Sequence, residues 1–596
     1  MSMQGSRPPV DPLEAMVLKA LDMIDAERPA DAESICRRVL AKAPTYPHAL
    51  RAISNALYLQ RKYAAADHYA TLAEQHAPPG DPFFLHALAR QFRQLGPNKR
   101  VSRIFRKAIT IDPLEAEYHI GLTENLLALN EFVEAAAAAQ QGIARVPTNP
   151  DLRFNNVVAT LNLGRAEEAS ALVDDLVTNA PGYTPALLLR STIQHYAGLR
   201  SPVQSLADAS AYWERELPNL PPLPPLPRRK PGPLRVGFLS PDFREHSVAY
   251  FIRPIIEGLD RSRFHVSCYM SCPQQDQVTA SIRKASDIWR DVSLGTQAAV
   301  ANCIRGDDLD VLVELAGHTA GGSMFAVAMK PARLHVTYLG YPGTTGLRSI
   351  DFRLVDSHTD PAGDPYDAQA HASEKLVRLD PCFLCYSPSQ DAPPVTERSA
   401  DAPLTFGSFN AMKKTTRRTL QLWSRVLAAV PGSRLYLKNS SLKNASLRDD
   451  FLARLADAGI ARDRIDLAPF AASTREHLAC YANVDIALDT FPYHGTTTTC
   501  EALFMGVPVI ALTGDAHVAR VGISVLHAAQ CPQWVARDDA EYVAIAARLA
   551  ADRSALASTR ASLRPRMLAS SLCDAAAMSA RFGDTLERIA REHGVF

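Results

Sequence analysis

Residues 484–512 have the sequence VDIALDTFPYHGTTTTCEALFMGVPVIAL, and this stretch decides the fold of the chain's larger part. Its apolar runs predict two buried strands, over Val484–Leu488 and over Val507–Leu512. Between them the pattern predicts a helix over Thr497–Met505 that Gly506 ends. Strand, helix and strand in this order form the repeating unit of a parallel sheet. The stretch therefore predicts a doubly wound α/β domain.

The same alternation of apolar runs and helical segments extends to both sides of this stretch. One series starts at Leu234 and another at Leu404. We predict further strands over Leu234–Ser240, Phe264–Met270, Asp310–Leu315, Leu334–Leu339, Thr405–Phe409, Arg434–Lys438 and Arg464–Leu467. Two such series in tandem indicate two lobes, each a parallel sheet covered by helices, with a cleft between them. The last segment, residues 538–591, is predicted to form helices that close the second lobe.

The first third of the chain is repetitive. Prolines that end predicted helices recur in steps of about 34 residues, and they are Pro44, Pro78, Pro113, Pro147 and Pro181. A second marker recurs in phase with them at the turn inside each repeat, namely Leu95-Gly96, Leu129-Asn130 and Leu163-Gly164. Between the markers lie paired amphipathic helices rich in alanine and leucine. This period is typical of tetratricopeptide repeats, which stack into an all-α solenoid with a groove for extended peptides.

Composition shifts divide the chain into four parts. Residues 1–217 are predicted to form the repeat solenoid, and residues 218–233, rich in proline, a stiff linker. A ligand for an aromatic groove is the alternative for this proline-rich run. Residues 234–395 and 396–596 are predicted to form the two α/β lobes. The fold class is therefore multidomain, an all-α solenoid followed by a two-lobed α/β region.

Charge and cysteine content exclude several classes of function. Lysine plus arginine number 64 and aspartate plus glutamate 63, a balance that argues against a nucleic-acid binder. The N-terminus lacks the apolar core of a signal peptide, and no run is long enough to span a bilayer. Of the ten cysteines only Cys382 and Cys385 form a CxxC pair, without a second pair for zinc. We expect a reduced cytoplasmic protein without membrane attachment or a bound metal.

The turn at residues 489–501 is the strongest candidate for a ligand site. Gly495 permits a tight turn, and Thr496, Thr497 and Thr498 offer N–H groups and hydroxyls at the start of a helix, where a pyrophosphate is favoured. Glu501 lies one turn further and could accept hydrogen bonds from ribose hydroxyls. The alternative is an N-cap, but capping requires only one threonine.

Further candidates follow the carboxyl ends of other predicted strands, where ligands bind in open α/β sheets. Asn410 and Lys414 follow one strand, and the lysine could neutralise a leaving phosphate; a solvated Lys413-Lys414 pair is the alternative. His246 follows the first strand of the first lobe and could act as a base or orient the acceptor, or could merely cap a helix.

Three weaker candidates complete the predicted cleft. His318 and the loop of Gly340 and Pro342 follow two strands of the first lobe, although such glycine-rich turns often simply reverse the chain. His477 precedes a strand of the second lobe and could contact a nucleotide base or be a satisfied surface histidine.

These segments resemble the protein O-GlcNAc transferase/SPINDLY family, which joins tetratricopeptide repeats to a GT-B region of two Rossmann-like lobes. The resemblance runs from about Pro44 to Leu512, and its most specific parts are Leu234–His246, Gly340–Gly346, Phe409–Lys414 and Asp489–Pro508. It implies an inverting transfer from a nucleotide sugar to Ser or Thr hydroxyls of proteins without a metal or another cofactor.

Carried over by position, the resemblance assigns a role to each candidate. Glu501 would hold the ribose, and Thr496, Thr497 and Thr498 the diphosphate. Lys414 would stabilise the leaving phosphate and His246 would face the acceptor, so these two are the candidate catalytic residues. His477 would lie near the base. The remaining candidate donor-binding residues are Asn410, Gly495, Gly340, Pro342 and His318.

Departures from the family pattern bear on the donor. Animal O-GlcNAc enzymes carry a histidine before their Thr-Thr, whereas this chain has Thr496. That change, with His318 and Phe491-Pro492-Tyr493, is closer to SPINDLY proteins, which resemble O-fucosyltransferases that use GDP-fucose. The chain also lacks the long insertion of animal relatives, which suits a bacterial member.

Four interpretations follow from these observations. The favoured donor is UDP-GlcNAc, with GDP-fucose second, and the expected partners are protein or peptide acceptors along the groove. A peptide-binding scaffold with inactive lobes is an alternative of another class. A GT-B enzyme that acts on small or lipid acceptors is a further one. The repeats could also mediate a homodimer.

Overall fold

The fold was analysed in a computed structural model that describes residues 11–221, 223–230, 232–363, 367–399, 401–468 and 471–595. The chain forms two compact units that divide between Leu163 and Gly164. In the first unit, helices are the only regular elements among the residues that the structure describes. The second contains three more helices of the repeat pattern and two parallel sheets, so the all-α and α/β fold classes predicted from the sequence are confirmed.

The first unit is a run of antiparallel helix pairs. Its helices within the described residues are α1 (Pro12–Asp25), α2 (Pro29–Lys42), α3 (Pro47–Leu59), α4 (Tyr63–Gln75), α5 (Pro82–Gln94), α6 (Lys99–Ile111), α7 (Ala116–Ala128), α8 (Phe132–Arg145) and α9 (Pro150–Asn162). Small buried residues such as Ala52, Ala66 and Ala139 allow neighbouring helices to approach closely. Many of these helices begin with proline, whose fixed φ suits the first helical position.

A residue with positive φ marks the turn inside every repeat. In the first unit these residues are Glu27, Arg61, Gly96 and Asn130, spaced by 34 or 35 residues. Gly164 and Gly198 continue the series at intervals of 34 into the second unit. The turn markers predicted at Gly96, Asn130 and Gly164 are thus confirmed. Glu27 and Arg61 adopt the same conformation without glycine, and their turns had no sequence signal.

The second unit begins with α10 (Ala166–Asn179), α11 (Pro185–Ala197) and α12 (Pro202–Glu216). Trp213 on α12 donates a hydrogen bond from Nε1 to the carbonyl of Thr345 (3.1 Å), which fastens this helix to the first lobe. These three helices therefore pack with the α/β lobes, although the sequence analysis grouped them with the solenoid.

The proline-rich segment lies against the first lobe and is not a free spacer. The Leu223 N–H donates to the Met329 carbonyl (3.3 Å), and Arg229 pairs with buried Asp310 (2.6 Å). Leu220 and Leu223 pack on the apolar cluster around Trp213. Pro222 and Pro231, which belong to the predicted linker, lie outside the described residues. Apolar side chains between the prolines therefore anchor the segment to the lobe.

The first lobe is a sheet of seven parallel strands in the order β3-β2-β1-β4-β5-β6-β7. The strands are β1 (Leu234–Ser240), β2 (Phe264–Met270), β3 (Ile288–Asp291), β4 (Val311–Glu314), β5 (Leu334–Thr337), β6 (Phe352–Val355) and β7 (Lys375–Arg378). The helices α13 (Ser247–Gly258), α14 (Gln277–Lys284), α15 (Gln297–Gly306) and α16 (Met324–Ala328) connect them. All four strands predicted here are confirmed, and β3, β6 and β7 were missed.

The second lobe is a sheet of six parallel strands in the order β10-β9-β8-β11-β12-β13. The strands are β8 (Thr405–Ser408), β9 (Arg434–Leu437), β10 (Ile465–Leu467), β11 (Ile486–Leu488), β12 (Val509–Leu512) and β13 (Val535–Ala536). Its helices are α17 (Arg417–Ala429), α18 (Ala445–Asp457), α19 (Thr474–Ala479), α20 (Thr497–Phe504), α21 (Val521–Ala528), α22 (Asp539–Ala551) and α23 (Arg553–Leu568). The predicted strands of this lobe are confirmed, each shortened by one or two residues.

The last helix, α24 (Ala575–Glu592), corrects one expectation. It was predicted to close the second lobe, but it packs on the first: the Phe582 ring stacks on Phe238 of β1 (6.1 Å between centroids). Arg263 pairs with Asp584 and Glu587 on its outer side (2.7 and 3.0 Å). The reason is that the helix carries an apolar stripe that complements β1 and α13, a match that sequence spacing alone does not reveal.

Candidate active site

The start of α20 lies open at the carboxyl end of β11. Thr496 occupies the N-cap position, yet its side chain makes no capping hydrogen bond, and the first-turn N–H groups of a helix have no partner inside the helix. The Thr497 Oγ1 is buried and has no hydrogen-bond partner among the residues that the structure describes. Polar groups left in this state favour an anionic ligand. The side chain of Thr496 therefore does not serve as the cap of this helix.

Asp489 builds the turn in front of this helix and was not predicted as a site residue. Its Oδ1 accepts hydrogen bonds from the N–H of Gly495 (2.7 Å) and of Thr490 (2.9 Å), and from Asn410 Nδ2 (3.2 Å). Its Oδ2 accepts from Thr499 Oγ1 (3.2 Å). An acid directly after a buried strand is the sequence signal that could have identified it. Asp489 thus joins the ends of β8 and β11 under the candidate phosphate site.

Asn410, Gly495 and Thr498, three of the candidate donor-binding residues, lie close together. Thr498 Oγ1 donates to Asn410 Oδ1 (3.0 Å). A Cβ atom on Gly495 would lie 2.1 Å from Thr498 Oγ1 and 2.7 Å from Asn410 Oδ1. Glycine is therefore required for close approach, and its φ is not in the positive range that a tight turn would require. The contact between Thr498 and Asn410 therefore depends on the absence of a side chain at Gly495.

Lys414 extends to the same turn. Its Nζ donates to the His494 carbonyl (2.8 Å) and lies 4.0 Å from the centroid of the Tyr493 ring. Burial lowers the pKa of Lys414 to about 7, while the nearby Asp489 carboxylate raises it and Lys413 lowers it. An ammonium in such surroundings gains much from an anion. The lysine is partly exposed, so a bound phosphate can reach it.

The side chains of Glu501 and His477 contact each other. Glu501 is 7% exposed, and its Oε2 faces His477 Nε2 at 3.0 Å. The other ring nitrogen, Nδ1, faces Lys438 Nζ at the end of β9. With the lysine donating to Nδ1, the proton of the neutral ring lies on Nε2, which donates to Glu501. Lys438 was missed because nothing in the sequence links it to His477.

His246 lies across the cleft, at the start of α13. Its Nδ1 accepts a hydrogen bond from the Val248 N–H (3.3 Å) and lies 3.5 Å from Asp242 Oδ1. Burial lowers the pKa of His246, and the Asp242 carboxylate partly offsets this. His246 therefore caps α13, as the alternative in the sequence analysis proposed. A neutral ring that accepts a hydrogen bond at Nδ1 carries its proton on Nε2 and can donate from there. The adjacent Glu245 hydrogen-bonds Thr474 of α19, so this edge of the first lobe meets the second.

His318, Gly340 and Pro342 lie in loops of the first lobe. His318 Nε2 is 2.7 Å from the Thr345 carbonyl, and burial lowers the pKa of His318 to about 4. Gly340 packs on the Leu315 carbonyl, where a Cβ would lie at 1.9 Å. Pro342 borders a cavity of about 500 Å³ between α11 and the two lobes. The structure shows no direct contact, among its described residues, between these three and the start of α20.

Comparison with known proteins identifies the chain's family. The profile of the family described as "Glycosyl transferase family 41" matches residues 225–400 and 394–581, more than half of the chain. The chain belongs to glycosyl transferase family 41. A tetratricopeptide-repeat profile matches residues 126–191. The family predicted from the sequence is confirmed.

Two curated relatives show the extent of the similarity. "Probable UDP-N-acetylglucosamine--peptide N-acetylglucosaminyltransferase SPINDLY" of Arabidopsis thaliana is 41% identical over 348 residues, which cover 57% of this chain and 38% of that protein. The "UDP-N-acetylglucosamine--peptide N-acetylglucosaminyltransferase" of Caenorhabditis elegans is 23% identical over 457 residues, 57% of this chain and 39% of that protein. The chain thus spans about two fifths of the length of these curated relatives.

A solved structure matches the whole chain. A point mutant of the Thermobaculum terrenum O-GlcNAc transferase is 28% identical, covers 98% of both chains and superposes with a TM-score of 0.71. The order of repeats and lobes described for this family 41 chain is therefore the order found in that enzyme.

Two further observations concern metals and membranes. In the described ranges no group of three or more His, Cys, Asp or Glu side chains is arranged to hold a metal ion. A search of the same ranges finds no helix with both the length and the apolar character needed to cross a bilayer.

Proposed function

We propose that this family 41 chain is an inverting, metal-independent glycosyltransferase that moves GlcNAc from UDP-GlcNAc to Ser or Thr hydroxyls of proteins. The observation that carries the proposal is the uncapped start of α20, with Lys414 beside it and the buried Glu501 one turn behind. A helix N-terminus and an ammonium together form a site for a diphosphate. The relatives named above as N-acetylglucosaminyltransferases support the choice of sugar.

Each group has a role in this reaction. The acceptor oxygen attacks the anomeric carbon while the bond from that carbon to the diphosphate breaks, so the negative charge grows on the leaving oxygen. Lys414 and the N–H groups of Thr497 and Thr498 stabilise that charge, because they are fixed in place before the reaction. Glu501 binds the ribose hydroxyls, and His477 lies beside the base.

The acceptor proton has two possible destinations, His246 or an oxygen of the leaving diphosphate. The tautomer in which His246 Nδ1 accepts the Val248 N–H favours the second, because Nε2 then already carries a proton. In this arrangement His246 orients the acceptor hydroxyl, and the diphosphate oxygen takes its proton as the new bond forms.

GDP-fucose is the second candidate donor. Animal O-GlcNAc enzymes have a histidine at the position of Thr496. The threonine run of this chain is closer to that of the SPINDLY proteins that the sequence resembles. Identity is also higher to the SPINDLY relative (41%) than to the Caenorhabditis elegans enzyme (23%). The acceptors are proteins or peptides that bind along the repeat groove, and the protein acts in the cytoplasm. A homodimer through the repeats remains a prediction.

Calorimetry with UDP and GDP tests the proposal directly. Binding of UDP with little binding of GDP supports the UDP-GlcNAc assignment, and the reverse supports GDP-fucose. If neither nucleotide binds above background, the enzyme proposal is wrong, and the alternative of a peptide-binding scaffold with inactive lobes is favoured. Mass spectrometry of proteins incubated with enzyme and donor then distinguishes protein acceptors from small or lipid ones. Slow hydrolysis of the donor without acceptor separates an active enzyme from an inactive scaffold that binds nucleotide.

A further inference from the structure

The loop that carries Lys414, residues 411–415, is fixed from one side by the turn before α10. Arg454 Nη2 donates to the Gly164 carbonyl (2.8 Å) and also hydrogen-bonds the Thr415 carbonyl. A Cβ on Gly164 would lie 2.6 Å from the Met412 carbonyl oxygen. The backbone of the repeat turn therefore lies directly against the loop.

From the other side the loop is covered by an aromatic stack that ends on α11. The Tyr493 ring, whose centroid lies 4.0 Å from Lys414 Nζ, packs against the ring of Tyr196 at 4.9 Å. Tyr196 is 6% exposed, and Lys413 Nζ lies 5.1 Å from its centroid. Burial raises the pKa of both tyrosines, so both rings stay neutral. Two contacts thus connect α11 to the ammonium of Lys414: that of Tyr196 with Tyr493, and that of Tyr493 with Lys414.

The end of α11 also fixes the backbone beside Tyr493. Gly198 ends the helix with φ +63°, and a Cβ there would lie 3.1 Å from Pro492 Cγ. This close approach places α11 against the turn between Asp489 and Gly495. The position of Tyr493 is therefore set by α11 as well as by its own lobe.

We propose that Tyr196 is a positioning residue for the candidate catalytic Lys414 and acts through Tyr493. The inference rests on the function proposed above. A neutral ring attracts an ammonium at its face and excludes water from it. Removing Tyr196 leaves one face of the Tyr493 ring unsupported, so the ring can move and water can reach Lys414. The last repeat is then part of the donor site and not only a route for acceptors.

A consequence separates this role from acceptor binding. If α11 only guided acceptors, changes in it would leave donor binding and acceptor-free hydrolysis of the donor unchanged. If Tyr196 positions Lys414, both properties change without any acceptor present. Donor hydrolysis is therefore the reaction to measure.

The test compares Tyr196→Ala with Tyr196→Phe, which keeps the ring, and with Tyr63→Ala on α4, an exposed tyrosine of the repeats (45%). We expect Tyr196→Ala to slow acceptor-free hydrolysis about three- to tenfold, the range of an aromatic pair and a cation–π contact. Tyr196→Phe and Tyr63→Ala should stay within about twofold of wild type, since neither removes the stack.

The pH dependence of nucleotide binding is the readout that a merely structural role would not change. The groups that face Lys414 are Asp489, Lys413, His494 and Tyr493. Tyr196→Ala removes none of these groups, so the change at Lys414 comes from the Tyr493 ring that is free to move and from the water that it admits. We expect the pH at which affinity declines to rise by about one unit in this variant, because hydration favours the ammonium.

The outcomes are distinguishable from failure of the proposed function. If wild type binds neither UDP nor GDP, the function is wrong. If wild type binds one of them while Tyr196→Ala retains the wild-type hydrolysis rate and pH profile, the positioning role alone is refuted. Should Tyr196→Ala fail to fold, Tyr493→Leu, compared with Tyr493→Phe, provides the same measurement. Unchanged hydrolysis and pH profile in Tyr493→Leu would equally refute the role.

Discussion

Nucleotide binding by this protein should take up a proton at Lys414. In the free protein burial lowers the pKa of this lysine to about 7, so about half of the molecules carry a neutral amine at neutral pH. A bound diphosphate places negative charge beside Nζ and restores the preference for the ammonium. Because the complex holds the proton more tightly than the free protein does, affinity must fall as the pH rises through the pKa of the free protein.

The size of the effect follows from the two pKa values. If the diphosphate returns the pKa of Lys414 to near its ordinary value of about 10.4, only the protonated fraction of the free protein binds well. With a pKa of about 7 before binding, affinity drops about eightfold between about pH 7.5 and about pH 8.5. At about pH 7.5 each binding event takes up about 0.8 proton. Histidines contribute little in this range, since their ordinary pKa is about 6.5.

Isothermal titration calorimetry measures both quantities. Titrations of the nucleotide that binds, repeated in buffers with different ionisation enthalpies, give the number of protons taken up. Lys414→Met should bind the nucleotide more weakly, and its affinity should no longer depend on pH above about pH 7.5. Lys284→Met, on the exposed end of α14, should keep the wild-type affinity and the wild-type pH dependence. Tight binding by wild type with no proton uptake and no change up to pH 8.5 would show that Lys414 does not face the phosphates.

Three further substitutions probe the site and its frame. Glu501→Ala should weaken nucleotide binding by about 1–3 kcal/mol, measured by calorimetry, because ribose hydroxyls lose an acceptor; unchanged affinity would remove Glu501 from the site. Asp489→Ala should lower the free energy of unfolding by about 2–4 kcal/mol in urea, since buried N–H donors lose their acceptor, and a loss below 1 kcal/mol would contradict this. Gly198→Ala should cost more stability than Gly80→Ala: both have positive φ, worth about 1–2 kcal/mol, but only Gly198 also meets Pro492. Thermal unfolding of the two variants measures this difference. Equal losses of melting temperature would show that the contact with Pro492 contributes nothing to stability.

The elements that were predictable share a strong local signal. Strands β1 and β2 match their predicted bounds to the residue because each is a run of seven residues of which all but the second are buried. Strand β3 is half-exposed at the sheet edge, and β6 contains the buried Arg353, so neither has the apolar pattern of a core strand. Positive φ at Glu27 is likewise invisible, because the repeat geometry forces a conformation that the residue type does not favour.

The candidate site divides in the same way. Asn410, Gly495 and Thr498 could be placed at one edge of the sheet because the carboxyl ends of parallel strands lie at the same edge; that β8 and β11 are neighbours there is seen only in the structure. The contact of Lys438 with His477 and that of Tyr196 with Tyr493 were not predictable. They join residues far apart in sequence through side chains whose direction depends on the finished packing.

The hydrogen bonds around α20 explain why its threonine run is unusual. Thr499 Oγ1 donates to the Gly495 carbonyl (2.5 Å) and to Asp489, so the fourth threonine holds the turn together. Thr498 is committed to Asn410. If stability alone had shaped this turn, the backbone at Thr496 would take the extended conformation in which a threonine hydroxyl caps the helix, a contact worth about 1 kcal/mol. Instead the cap is absent and the Thr497 hydroxyl is buried without a partner among the described residues, both unfavourable in the free protein. An anion bound as proposed would remove this penalty, because its oxygen atoms would accept hydrogen bonds from the first-turn N–H groups and from the Thr497 hydroxyl.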